Sequence, residues 1–207
     1  PPVNSLSGGE WQKQKSRVKA GLKKLAFNLV ELYAAREKNP GHAFAPDSAW
    51  TAQFNDGVPY ELTPDQARAV EDIKRDMESP RNMDRLLCGD VGYGKTEVAM
   101  RAAFRAVMNS RQVAFLAPTT ILVQQHVRTL KKRFEGFPVR IDYVSRFRSP
   151  RENRETLRQA REGSVDILVG THRLLSRDVG FRNLGLLIID EEQRFGVRHK
   201  EQIQNLK

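Results

Sequence analysis

The chain has 207 residues, enough for one large domain, or one domain with an appendage, around a sizeable core. Its composition is 39% hydrophobic, with no run near the roughly 18 apolar residues of a membrane span and no basic-then-apolar signal order at the start, so a cytoplasmic protein without a membrane partner is expected. A formal charge of +10 favours a polyanionic partner, and the single cysteine, Cys88, excludes an internal disulfide.

From Glu10 to Lys38, Val18, Leu22, Leu25, Leu29, Leu32 and Tyr33 recur at steps of three and four, which predicts one long amphipathic helix with a lysine-rich first half. Asn39-Pro40-Gly41 stops it, and His42 to Pro59 reads as an extended connector. Residues 1–58 are therefore expected to form the helix and linker, and residues 59–207 a separate lobe. Thr63 caps a helix that starts Pro64-Asp65-Gln66.

Leu86-Leu87-Cys88 reads as a short buried strand, which would bury the thiol, and it leads into Gly89-Asp90-Val91-Gly92-Tyr93-Gly94-Lys95-Thr96. These eight residues match a phosphate-binding P-loop. The glycines permit a tight turn that aims N–H groups at phosphate oxygens, Lys95 reaches the β and γ phosphates, and the Thr96 hydroxyl can hold Mg²⁺. A helix follows from Thr96, then strands near residues 113–117, 139–144, 165–169 and 186–189, separated by helices over 119–134 and 150–162. The five strands predict an α/β fold, a parallel β-sheet flanked by helices, with ligands at the carboxyl ends of its strands.

The last strand delivers Asp190-Glu191-Glu192-Gln193 at its carboxyl end. Asp190 is placed to hold Mg²⁺ through its water shell and Glu191 to orient and deprotonate an attacking water, while Gln193 completes a D-E-x-Q box. Gln66 carries an amide that can donate to and accept from the edge of adenine, which points to ATP as the nucleotide. Neither His126 nor His172 has partners at metal-ligand spacing, so no zinc site is expected.

Between Arg128 and Arg161 basic residues far outnumber acidic ones. On the helix starting at Pro150, Arg151, Arg154, Arg158 and Arg161 share one face and could track a phosphate backbone, unless they pair within the helix as Glu155 with Arg158 would. Arg146 and Arg148 flank Phe147, the lone aromatic among the arginines, which favours duplex contact over base stacking. Thr119 and Thr120, and likewise Thr171 and His172, stand at strand ends where hydroxyls and helix-opening N–H groups suit phosphate oxygens.

Taken in order, Leu62 to Gln66, Gly89 to Thr96, Pro118-Thr119-Thr120, Gly170-Thr171-His172 and Asp190 to Gln193 resemble the first motor lobe of superfamily 2 helicases and translocases, a RecA-like P-loop NTPase lobe. The longer runs at residues 88–99, 145–148, 170–175 and 190–200 are similar to the bacterial transcription-repair coupling factors. The segment with Trp11, the lysine-rich helix and Tyr33-Ala34-Ala35-Arg36 is similar to that family's connecting helix. The resemblance implies an ATP- and Mg²⁺-dependent translocase on double-stranded DNA that displaces stalled RNA polymerase and recruits excision-repair proteins. It also implies a fragment that lacks the second motor lobe and hydrolyses ATP slowly or not at all by itself. Gln193 departs from the histidine of many members. A branched-DNA remodelling helicase, which shares several of these motifs, and a non-catalytic nucleotide-gated binding module are the alternatives. A guanine-nucleotide switch is disfavoured because no Asn/Thr-Lys-x-Asp sequence occurs.

Overall fold

The computed structural model describes residues 9–38 and 40–195, in two compact units divided between Gly41 and His42. The first unit holds helix α1, Gly9–Lys38. Of its expected apolar stripe, Val18 and Leu22 are exposed, and the side chains of Leu25, Leu29, Leu32 and Tyr33 lie outside the described residues. Gly196-Val197-Arg198-His199-Lys200, part of the resemblance, also lies outside them.

The second unit alternates helices and strands. Its elements are α2 (Ala49–Asp56), α3 (Pro64–Glu78), α4 (Lys95–Met108), β1 (Gln112–Leu116), α5 (Thr120–Arg133), β2 (Ile141–Val144), α6 (Pro150–Glu162), β3 (Ile167–Gly170) and β4 (Leu184–Ile189). Short 3₁₀ turns occupy His172–Leu175 and Glu192–Arg194. The strands form a sheet in the order β2-β3-β1-β4, and every pairing is parallel. Side chains alternate across it, as a strand period of two requires. Val113, Phe115, Ile167 and Val169 meet α4 and α5 on one face, while Ala114, Leu116 and Leu168 meet α6 and the first 3₁₀ turn on the other.

The predicted α/β fold therefore stands, with four described strands rather than five. Arg85 to Cys88 joins no ladder; Leu86 is 74% exposed and the Cys88 thiol is exposed rather than buried. Three apolar residues give little burial to drive pairing, and Arg85 anchors the segment to α3 through Asp76 at 2.5 Å and Asp72 at 3.6 Å.

The connector expected over His42 to Pro59 is not extended either. Ser48 and Thr51 form a capping box that starts α2. Phe54 on that helix is fully buried, stacked on Phe104 at 4.0 Å, a burial that contributes about 1.5–3 kcal/mol. Upstream, the Phe44 N–H donates to the Met77 carbonyl at 2.9 Å, and the buried Arg105 holds Ala45, Asp47 and Glu78 together. The compact lobe thus begins at His42, because aromatic side chains of the connector complete its core.

Candidate functional site

Every strand of a parallel sheet ends at the same edge, and the loops there bring distant residues together. Two segments are the candidates for chemistry: the acidic turn after β4 at that edge, and the P-loop before α4, which follows no described strand.

The P-loop turns through Gly92 and Gly94, whose φ values of 86° and 72° lie in the left-handed region. At Gly94 a side chain is doubly excluded, since a Cβ would stand 2.5 Å from Gln66 Nε2. Helices α2, α3, α5 and α6 are capped by Ser48, Thr63, Thr119 and Ser149, whereas no side chain caps α4. Its opening turn and its dipole thus face the loop, an arrangement that suits an anion. Lys95 closes the loop by donating to the carbonyls of Gly89 and, at 2.8 Å, Asp90. Gly89, Asp90, Val91, Gly92 and Tyr93 are exposed, and Lys95 and Thr96 are half-buried.

Gln66 lies against this loop. Its Oε1 accepts from the Thr63 N–H at 2.9 Å, and its Nε2 donates to the Tyr93 carbonyl at 2.7 Å. The amide thus braces the P-loop, a role the sequence reading did not include. It retains a second N–H and a second lone pair with which to meet a purine edge.

At the opposite side, Asp190 follows β4 directly. Its N–H donates to the Leu116 carbonyl at 2.9 Å, and its Oδ2 lies 2.7 Å from His126 Nε2. The bond from His126 holds the Asp190 carboxyl below the usual carboxylate range; partial burial opposes this, and the His126 charge, the Glu191 N–H and the Lys95 charge reinforce it. Glu191 has a φ of 53°, a strained conformation for a residue other than glycine, asparagine or aspartate. Its carboxylate accepts from Gln193 Nε2 at 2.5 Å and lies 3.7 Å from Arg194. Among the described residues no three His, Cys, Asp or Glu side chains cluster as a metal site.

Two residues escaped the sequence reading. His126, set aside there for want of metal ligands, is 8% exposed and partners Asp190. Its signal is its position beside Val123, Val127 and Leu130 on the apolar face of α5, where a buried imidazole needs a polar partner. Glu97, in the first turn of α4, is 3% exposed and binds Arg101 and Arg133 at 3.0 Å each. Those arginines reach the Asn55 and Phe54 carbonyls of the connector at 3.2 and 2.6 Å. Glu97 and Arg101 stand four apart, the one part of this network visible in sequence.

The expected nucleic-acid contacts divide. Arg148 has only 19% of its side chain exposed and is engaged with Asp142, the Tyr143 carbonyl and Thr156, so it braces β2 against α6. Arg158 closes pairs with Glu155 and Glu162, each at 2.6 Å, because acidic residues stand three before it and four after it. Bonds from Arg158 and Gln159 lower the Glu155 pKa to about 2. Arg161 donates to the Asp178 carbonyl at 2.7 Å. The continuous arginine stripe on α6 is thus interrupted, while Arg151 and Arg154 stay exposed. Arg146 is exposed over the Phe147 ring at 5.1 Å. Thr119 and Thr171 use their hydroxyls to cap α5 and the first 3₁₀ turn, and Thr120 opens α5. His172 opens that 3₁₀ turn and is exposed.

Comparison with known proteins places this geometry. The chain is 56% identical over its whole length to the transcription-repair-coupling factors of Staphylococcus epidermidis and Staphylococcus aureus, and it spans 18% of the length of each. It is similar to a solved structure of RecG bound to a three-way DNA junction, with 38% identity and a TM-score of 0.74 over 80% of this chain and 23% of that one. A hypothetical ATP-dependent RNA helicase from Sulfolobus tokodaii shares the fold at 17% identity, with a TM-score of 0.55 over 74% of this chain and 44% of that one. The family description DEAD/DEAH box helicase matches residues 63–207, which include both the P-loop and the acidic turn, and the chain belongs to that family.

Proposed function

We propose that the chain is the ATP-binding first motor lobe of a double-stranded DNA translocase that acts on stalled RNA polymerase and links transcription to excision repair. The observation that carries this reading is a P-loop that opens α4 with no side-chain cap, together with Asp190 at the end of β4, within a chain 56% identical to transcription-repair-coupling factors. Helix α1 would then join the lobe to the rest of a longer protein, and the unit that begins at His42 would hold the nucleotide.

In this reading the N–H groups of Gly89 to Gly94 and of the α4 opening turn bind the phosphates, and Lys95 exchanges the Gly89 and Asp90 carbonyls for phosphate oxygens. Thr96 and Asp190 would hold Mg²⁺. Mg²⁺ held there would supply positive charge against the phosphates. Glu191 orients the attacking water and accepts its proton, with Gln193 fixing the Glu191 carboxylate. Gln66 meets adenine with the hydrogen-bonding capacity left over from bracing Tyr93. Thr119, Thr120, Arg146, Arg151, Arg154, Thr171 and His172 remain the candidate DNA contacts, with Arg148 and Arg158 removed from that set by their internal partners.

RecG, whose solved structure holds a three-way DNA junction, supports a second reading as a branched-DNA remodelling lobe. Both readings make the same demand on Glu191. In a protein of the relatives' full length, Glu191→Gln is expected to lower DNA-stimulated ATP turnover by at least about 100-fold and leave ATP affinity within about threefold. Unchanged turnover would support a nucleotide-gated binding module instead. Turnover on linear duplex against three-way junctions separates the translocase from the remodelling lobe.

A further inference from the structure

Asp190 is tethered at its backbone, and its side chain keeps two rotatable bonds, the second of which turns the carboxylate. The Leu116 carbonyl fixes the Asp190 N–H at 2.9 Å, in line with the ladder between β1 and β4. Terminal carboxylate torsions are broad, so the main chain does not determine which oxygen faces the P-loop. The 2.7 Å contact from His126 Nε2 to Oδ2 does. An ionised carboxylate only accepts hydrogen bonds, so Nε2 carries the hydrogen in this pair.

The imidazole is itself held. It is 8% exposed on the apolar face of α5, and its ring packs on Phe115 of β1 with centroids 4.7 Å apart. Phe115 and Leu116 are adjacent on the same strand, so one strand supports both the imidazole and the Asp190 backbone. A leucine or phenylalanine would fill that apolar stripe equally well. The histidine adds a single directed N–H, and it is aimed at the carboxylate that ends β4.

We propose that His126 is the positioning residue of the metal site, setting the orientation of the Asp190 carboxylate and thereby the affinity of the nucleotide-bound lobe for its divalent cation. This rests on the reading of Thr96 and Asp190 as metal-holding residues. Partners of this kind, bonded to a metal carboxylate rather than to the metal, typically change metal affinity by about 10–100-fold when removed. The positioning is also mechanical. His126 lies two turns along α5 from the Thr119 cap, about 10 Å by helical rise, so a shift of α5 at its opening end reaches the carboxylate directly.

Mn²⁺ can replace Mg²⁺ as the probe, because the free ion is counted by electron paramagnetic resonance. The 207-residue chain is titrated with Mn²⁺ at saturating ADP, alongside His126→Phe, His126→Gln and Lys95→Ala. Phenylalanine keeps the ring packing on Phe115 and loses the donor; glutamine carries an N–H the same number of bonds from Cβ. His126→Phe should bind Mn²⁺ about tenfold more weakly, His126→Gln within about threefold of wild type, and both should hold metal-free ADP as wild type does. Equal Mn²⁺ affinity for His126→Phe and wild type would overturn the assignment and leave the imidazole a packing group. So would equal losses in the Phe and Gln variants. If ADP adds no Mn²⁺ binding to wild type, or Lys95→Ala binds as wild type does, the nucleotide reading itself fails and takes this assignment with it.

Discussion

On α4, Glu97 is buried and reaches beyond its own helix: it pairs with Arg101 one turn on and with Arg133 of α5, and through them it joins the carbonyls of Asn55 and Phe54. On α6, Arg158 is exposed and closes its pairs with Glu155 and Glu162 of the same helix. Both are arginine–glutamate networks on helices of nearly equal length, yet they do different physical work. The first is out of water and joins three elements, so every member has a tertiary consequence. The second is in water and joins a helix to itself, so it adds little and draws Arg158 away from an outside phosphate. Where a charge finds its partner matters more than how many charges a segment holds.

The largest test of this contrast is Glu97→Ala. It strands two guanidiniums in a nearly dry site and is expected to cost about 3–5 kcal/mol, seen as a lower urea midpoint. A midpoint unchanged from wild type would place this network in the same class as that of α6. The next test concerns DNA. In a full-length protein, Arg146→Ala should reduce the slope of log affinity against log salt by about one, whereas Arg158→Ala should leave that slope unchanged. A reduced slope for Arg158→Ala would restore the α6 stripe as a DNA surface.

The smallest effect is a titration. Glu155 has its pKa lowered from 4.5 to about 2 by Arg158 and Gln159. A depressed carboxyl contributes stability that is fully present above the ordinary value near 4.5 and is lost as pH falls through about 2. In Arg158→Ala the Glu155 titration, followed by NMR, should move up towards 4.5, with only a small fall in the urea midpoint at neutral pH because solvent screens this exposed pair. An unmoved Glu155 pKa would mean that the pair does not persist in solution.

The parts of the lobe legible in sequence are those whose cause is local. The aliphatic runs of β1, β3 and β4, the Thr63 cap with Pro64, and the Gly92 and Gly94 turns each follow from neighbouring residues. The errors came where a remote partner decided the outcome. Phe44 and Phe54 lack any helical or strand period, and their burial depends on Met77, Phe104 and Arg133. Arg148 resembled a phosphate ligand until Asp142 and Thr156 came to meet it. Within the candidate site, the place of Asp190 was legible because the aliphatic run of β4 ends at it, and that of Lys95 because the glycines before it make the turn into α4, while the His126 contact spans 64 residues. The acidic interleaving of α6 was visible in the spacing of Glu155, Arg158 and Glu162, and the pairing within the helix that this spacing allows is the one that forms.

The central claim, that Lys95 and the acidic turn form one Mg²⁺-nucleotide site, is tested most directly by calorimetric titration of ATP and Mg²⁺ into the wild-type chain and Lys95→Ala. Removing a charge-assisted contact of about 1.5–3 kcal/mol should weaken binding by about 10–100-fold. Wild-type affinity in Lys95→Ala would contradict the account, because the phosphates would then lie somewhere other than the loop from Gly89 to Thr96.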